Sequence, residues 1–424
     1  MSSSKDEYMH KRVLLIAFHF PPQAASSGIQ RTLSFSRNLG RYGWEPLVLS
    51  AHPRAYDAQN PSQLASIPAR LVVKRAFALD TKRHLGIKGR YPGALALPDR
   101  WVSWWFAAVP AGLKLIREHR PRLIWSTFPI GTAHLIGLTL HRLTGLPWVA
   151  DFRDPMMQSS YPTSKMQRAV FAWIERQAVK RCIKAVFTTH SAMQVYLERY
   201  PELPREKFVV IENGYDEDGF TAAASAAPAP PGQRLTLLHS GVLYQAGRDP
   251  SAFLQALATL KATGKVSAQA LRVVLRAPGE IDAVQALAQG FGVDDLVEVL
   301  PSVPYRDALQ EMMGADGLMI FQGTPFNTQI PAKIYEYFRA RKPILGLVDT
   351  SGETARVLRT AGFTDMAQMV DSEDIAQAID TFITRIRRGE AYVASETLVA
   401  ASSRAHRASE LAAVFDSIDT TSRP

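Results

Sequence analysis

Short apolar runs alternate with longer segments of helical spacing along the first half of the chain. Residues 13–18, 46–50, 123–127, 148–152, 185–189 and 208–212 are apolar runs bounded by polar or turn residues, and each is predicted to be a buried strand. Between them Ile29, Leu33, Ser36 and Leu39, and later Met166, Val170, Trp173 and Ile174, recur at helical intervals. Strands alternating with helices predict βαβ units around a parallel sheet. The pattern then lapses. Residues 221–232 read TAAASAAPAPPG, which has no periodic apolar face and predicts an interdomain linker. Alternation resumes with strands expected at 235–238, 271–275, 297–300, 318–321 and 344–348. Asp249-Pro250 reads as an N-cap and first helical position, followed by Phe253, Leu254, Leu257 and Leu260 on one face. The alanine-rich stretch 395–418 reads as a final helix with no strand after it.

The chain is therefore expected to be an α/β protein of two doubly wound domains. The first spans 1–220, the linker 221–234 and the second 235–394, with a terminal helix in 395–424. Ligands of such sheets bind beyond the carboxyl ends of the strands, so the site is expected in a cleft between the domains.

Composition narrows the chemistry. With 46% hydrophobic and 21% charged residues among 424, the chain is an ordinary globular one. A single cysteine, Cys182, excludes an intramolecular disulfide framework and any zinc site built from several thiolates, and it fits a reducing compartment. No window is apolar for the ~18 residues that a membrane span requires, and the amino terminus lacks the pattern of a signal peptide. A cytoplasmic location follows as an expectation. The net charge of +10 points to an anionic partner without choosing one. Neither half has a Gly-x-Gly-x-x-Gly or a P-loop, which leaves dinucleotide redox and ATPase chemistry unsupported.

Four stretches follow strands and carry polar chemistry. HFPPQAASSG (19–28) leaves the first strand with His19 and places Ser26, Ser27 and Gly28 at a helix start, where free N–H groups favour an anion. DFRDP (151–155) puts Asp151, Arg153 and Asp154 at a strand's carboxyl end, facing a ligand or forming a local Asp–Arg pair. HSGVLYQAGRDP (239–250) offers Gly241 for close backbone approach and Arg248 just before a helix. FQGTPFNTQIPAKIYEY (321–337) runs through a polar loop into a helix with Lys333 and Glu336 on one face. A lysine in a first helical turn opposes the dipole, so an anionic partner is expected for it.

Gly241 with Arg248, then IPAKIYEYFRARKPIL (330–345) and GETA (352–355), resemble the donor half of family 4 glycosyltransferases of the GT-B fold. FHFPP (18–22), DFRDP and VIENGYD (210–216) resemble the same family's first half. The resemblance covers almost the whole chain. It implies two Rossmann-like domains facing a cleft, with the final helix crossing back to the first domain. It also implies transfer of a sugar, with retention, from a nucleotide-diphosphate sugar to a glycan, lipid-linked or other acceptor, without cofactor or metal, as in bacterial polysaccharide or glycoconjugate synthesis. On this resemblance Glu336 holds the ribose, Arg248 and Lys333 face the diphosphate, and Thr328 touches phosphate or sugar. Residues 301–303, with Val303, border the base. His19, Ser27, Gly28 and Arg153 fall on the acceptor side or near the diphosphate, and Asp151 lies near the reacting centre. Two departures stand out: Thr328 occupies the place of the first of two glutamates, and RAPG (276–279) replaces a glycine-rich turn.

The alternatives are a non-catalytic nucleotide-sugar or glycan-binding protein on this scaffold and a GT-B-fold sugar-nucleotide epimerase. Nucleic acid is not an expected partner, because no stacking run of aromatic and basic residues accompanies the charge. An anionic membrane surface is a further candidate partner. Trp101, Trp104, Trp105 and Phe106 concentrate in one segment and Arg168, Arg176, Lys180, Arg181 and Lys184 in another.

Overall fold

The computed structural model describes residues 11–24, 28–86, 88, 90–158, 161–224 and 234–421. It divides into two compact units, one reaching Glu212 and resuming at Arg404, the other comprising Asn213–Ser403.

The first unit is built on a seven-stranded sheet. Its strands are β1 (Lys11–Ile16), β2 (Trp44–Ala51), β3 (Val72–Ala76), β4 (Leu123–Thr127), β5 (Trp148–Arg153), β6 (Lys184–Phe187) and β7 (Phe208–Val210). The order is β3-β2-β1-β4-β5-β6-β7, with every pair parallel. Val13, Leu15, Trp125, Val149 and Val186 pack on one face, and Leu14, Ile16, Leu49, Ile124 and Ala150 on the other. Burial on both faces is why these strands read as continuous apolar runs rather than alternating ones. The second unit has six strands: β8 (Leu235–Ser240), β9 (Leu271–Arg276), β10 (Val297–Leu300), β11 (Gly317–Gln322), β12 (Ile344–Val348) and β13 (Met366–Gln368). Its order is β10-β9-β8-β11-β12-β13, again parallel. Strand order reverses beside β1 in the first sheet and beside β8 in the second, and the carboxyl ends there are the natural ligand positions.

Several expectations need correction. The edge strands β3 and β13 carry no clear signal: β3 (VVKRA) is largely half-exposed, and β13 has three residues. Of the stretch read as a linker, residues 221–224 close the helix Glu217–Ala224, while 225–233 lie outside the described residues. The terminal segment is two helices, Glu396–Ala401 in the second unit and Arg404–Thr421 in the first. Only the latter lays Ala408, Leu411, Ala412, Phe415 and Ile418 onto the first sheet's core. The helix expected to start at Pro250 begins one residue later, at Ser251, with Pro250 at the cap position and Asp249 accepting from the Ser251 N–H at 2.9 Å. The aromatic run at 101–106 does not form a surface patch. Trp104 is fully buried in the helix Ser103–His119, Trp105 donates to Thr139 Oγ1, and Phe106 is exposed. No helix among the described residues is long and apolar enough to cross a membrane.

Candidate active site

In the second unit the sequence-derived candidates converge on the carboxyl edge of the sheet. β8 ends at Ser240, and Gly241 follows with φ of +143°, a conformation that disfavours any side chain. A Cβ at Gly241 would also collide with Lys333 Nζ. The glycine thus admits the lysine's own ammonium, where the sequence suggested only a ligand. Lys333 opens the helix Lys333–Ala340 and donates from Nζ to the Ser240 carbonyl. Burial and the nearby Arg248 lower its pKa to about 8, against a smaller opposing pull from Glu336.

Arg248 is held by neutral groups. Its Nε donates to Gln322 Oε1 at 3.0 Å, and its guanidinium lies 5.4 Å from the ring centres of both Tyr244 and Phe326. Gly247, at φ +97°, lets the turn pass Phe326, whose ring atoms would be 2.9 Å from an added Cβ. Among the described residues neither Lys333 nor Arg248 has a carboxylate within ion-pair distance.

Glu336 lies one turn beyond Lys333 and accepts a 2.8 Å hydrogen bond from the Tyr305 hydroxyl. Val303 follows β10, half-buried, and Thr328 sits half-buried in the loop between β11 and the Lys333 helix. That loop is anchored by Asp349 at the end of β12. Its carboxylate accepts from Thr324 Oγ1 at 2.7 Å, Asn327 Nδ2 at 2.8 Å and Ser351 Oγ at 2.7 Å. These bonds hold its pKa well below the usual carboxylate range.

His239 is buried beneath this edge. Its Nδ1 lies 3.0 Å from the Met319 carbonyl, which fixes the proton there if the ring is neutral. Burial and the Lys333 charge push its pKa far down, so it is neutral, with Nε2 an acceptor lacking a partner among the described residues. Sequence reasoning missed Tyr305, Gln322, the Tyr244–Phe326 clamp and Asp349, because each acts through a partner in another helix or loop.

In the first unit Asp151, at the carboxyl end of β5, is spoken for. Asp151 is wholly buried, and Arg31 grips it with two hydrogen bonds of 2.9 and 3.1 Å while Thr127 Oγ1 donates at 3.0 Å. Arg31 also donates to the carbonyls of Ile211 and Glu212. The pair is not the local one expected within the loop. It ties the helix Gly28–Asn38 to β5 and β7, so Asp151 positions Arg31 rather than facing a substrate. Arg153, at φ +62°, is buried and donates weakly to Phe128 O at 3.4 Å, with its Nε unpartnered among the described residues. His19 lies close enough for Arg153 to reinforce the effect of burial, which lowers the imidazole pKa to about 4. Gly28 begins its helix, and Ser27 lies outside the described residues. No group of three His, Cys, Asp or Glu among the described residues could hold a metal ion.

Residues 27–214 match the glycosyl transferase 4-like domain. The chain superposes on Anabaena Alr3699/HepE in complex with UDP with a TM-score of 0.65 and 13% identity, covering 96% of this chain and 100% of that one. Sucrose-phosphate synthase from Thermosynechococcus elongatus gives 0.64 at 13% identity, covering 97% and 100%. A UDP-N-acetylglucosamine 2-epimerase gives 0.51 at 12%, covering 93% and 90%. No curated protein matches the chain by sequence. At these identities the likeness is one of fold, and the fold is GT-B.

Proposed function

We propose that this chain, a GT-B protein whose first unit carries a glycosyl transferase 4-like domain, transfers a sugar from a nucleoside-diphosphate sugar to a hydroxyl acceptor. The observation that carries this reading is the pair of cations Lys333 and Arg248, kept without a carboxylate partner at the switch point of the second sheet. Unneutralised charge in a half-buried position costs stability unless an anion takes it up. A diphosphate meets both charges.

When the bond from the anomeric carbon to the diphosphate breaks, negative charge builds on the departing phosphate oxygen. Lys333 and Arg248 stand ready to stabilise it, and no solvent need reorganise. Their support grows as the bond breaks, which is how a binding group lowers a barrier. Glu336 is proposed to receive the ribose hydroxyls, with Tyr305 holding the carboxylate until they arrive. Residues 301–303 would border the base, and Thr328 the phosphate or sugar. His19, Gly28 and Arg153 are proposed for the acceptor side or the diphosphate. Retention at the anomeric carbon, a hexosyl donor, independence from metal and a role in bacterial glycan synthesis complete the proposal.

The epimerase likeness motivates a second reading, in which the sugar of a bound nucleotide sugar is converted to its epimer. A thermal-shift screen of nucleoside diphosphates and their sugars, followed by product analysis, tests both. A ligand at one hundred times its dissociation constant adds about 2.7 kcal/mol. Sugar appearing on an added acceptor supports transfer. A freed epimer without acceptor supports the rival, and no stabilisation by any nucleotide overturns both.

A further inference from the structure

A cavity lies wholly within the first unit, with Trp101 of its wall packed 4.8 Å from the ring of Phe18, which follows β1. Its volume is about 400 Å³, inside the range of roughly 300–1,000 Å³ typical of small-molecule sites. Its walls come from the long connection after β3 and the one after β5, so it opens at the carboxyl edge of the sheet.

Three aromatic rings, Tyr91, Trp101 and Tyr161, line it. Beneath them Asp99 is a buried support. Its carboxylate accepts from the Thr132 N–H at 2.8 Å, the Thr132 hydroxyl at 2.9 Å and the Trp101 N–H at 3.1 Å. The Trp101 indole is fixed at its other end by a 3.1 Å hydrogen bond to Ala55 O. Among the described residues the one cation in the wall, Arg100, is engaged by Asp57 and Asp80 and lies 4.4 Å from the Trp101 ring centre. Arg100 is thus neutralised by carboxylates outside the wall and Asp99 is taken up by neutral donors, which disfavours an ionic ligand.

Neutral hydrogen-bonding capacity remains. Gln167 donates one N–H to Pro98 O at 2.9 Å, leaving its other N–H and its carbonyl oxygen. Ser164 accepts from the backbone N–H of Gln167 at 3.5 Å, leaving its hydroxyl proton. Tyr161 stands 46% exposed at the rim, an apolar cost that a stacked ligand would recover.

The cavity asks for a neutral molecule with an apolar face to lie on a ring and an edge of groups that both donate and accept. A pyranose has both: its C–H face is apolar and its hydroxyls serve as donors and acceptors. We infer that this cavity is the subsite for a neutral sugar residue of the acceptor. The inference rests on the glycosyltransferase reading for the word acceptor, though not for the sugar-binding chemistry.

The test is binding of the full chain to an array of immobilised neutral and acidic oligosaccharides, with UDP titrated in parallel. The wild type should retain at least one neutral glycan. Tyr161→Ala and Gln167→Leu should each lower that signal tenfold or more while leaving the melting temperature and UDP affinity unchanged. Tyr161→Phe, which keeps the ring, should retain it. Binding of no neutral glycan, or equal binding by Tyr161→Ala and Gln167→Leu, would overturn the inference. Glycan bound by a chain that binds neither UDP nor any other nucleoside diphosphate would instead defeat the proposed function and leave the sugar subsite standing.

Discussion

The two units handle charge at the ends of their strands in opposite ways. In the first, Asp151 and Arg31 neutralise each other in full burial, with Thr127 and two backbone carbonyls completing their hydrogen bonds. In the second, Lys333 and Arg248 are held by a carbonyl, an amide oxygen and two aromatic rings. The first arrangement is a staple between a helix and a sheet. The second retains its net charge, and the cost shows in a lysine pKa lowered to about 8. A strand-end position does not itself mark a functional charge; what matters is whether the protein has already supplied the counter-charge.

The largest expected effect comes from breaking the staple. Asp151→Ala leaves Arg31 buried without its counter-ion, a loss of about 3–5 kcal/mol of stability measured by chemical denaturation. A loss below 1 kcal/mol would show that the pair is not structural. Next come the uncompensated cations. Lys333→Ala and Arg248→Ala should each lower kcat by roughly a hundredfold, as for a lost oxyanion donor worth about 3 kcal/mol. Neither should lower the melting temperature, because neither leaves a buried charge unpaired. Near-normal turnover in both would remove the contrast between the units. Glu336→Gln should raise the donor KM by about tenfold at nearly constant kcat, since a hydrogen bond to a charged group is worth about 1.5–3 kcal/mol and serves bound donor and transition state alike. A fall in kcat with KM unchanged would assign Glu336 to the chemistry instead. The smallest effect belongs to Tyr305→Phe. Removing the exposed hydroxyl that occupies Glu336 should lower the donor KM by about two- to threefold, because water replaces most of what that bond contributes. An increase would mean that Tyr305 holds Glu336 in place for the ribose.

The central strands of both sheets were legible in the sequence because burial on two faces demands continuous apolar residues. β3 and β13 were not, since an edge strand can be short and half-exposed. Lys333 was legible as an anomaly, a cation in a first helical turn. The Arg31–Asp151 bond joins residues 120 positions apart, and nothing local in either segment announces it. Trp104 shows the converse failure: four large aromatics close together suggested a surface, yet helical geometry turned Trp104 into the core and Phe106 outward. The kink-prone Pro110 within that helix gave no guide to either.

The most direct test of the uncompensated-cation account is calorimetric titration with UDP at pH 8 in two buffers of different ionisation enthalpy. With a free-state pKa of about 8, Lys333 is about half protonated there, and a bound diphosphate raises its pKa. Binding should therefore take up about half a proton per site at pH 8, with no uptake and weaker binding in Lys333→Met. UDP binding of equal affinity in both proteins, with no buffer dependence in either, would contradict the account.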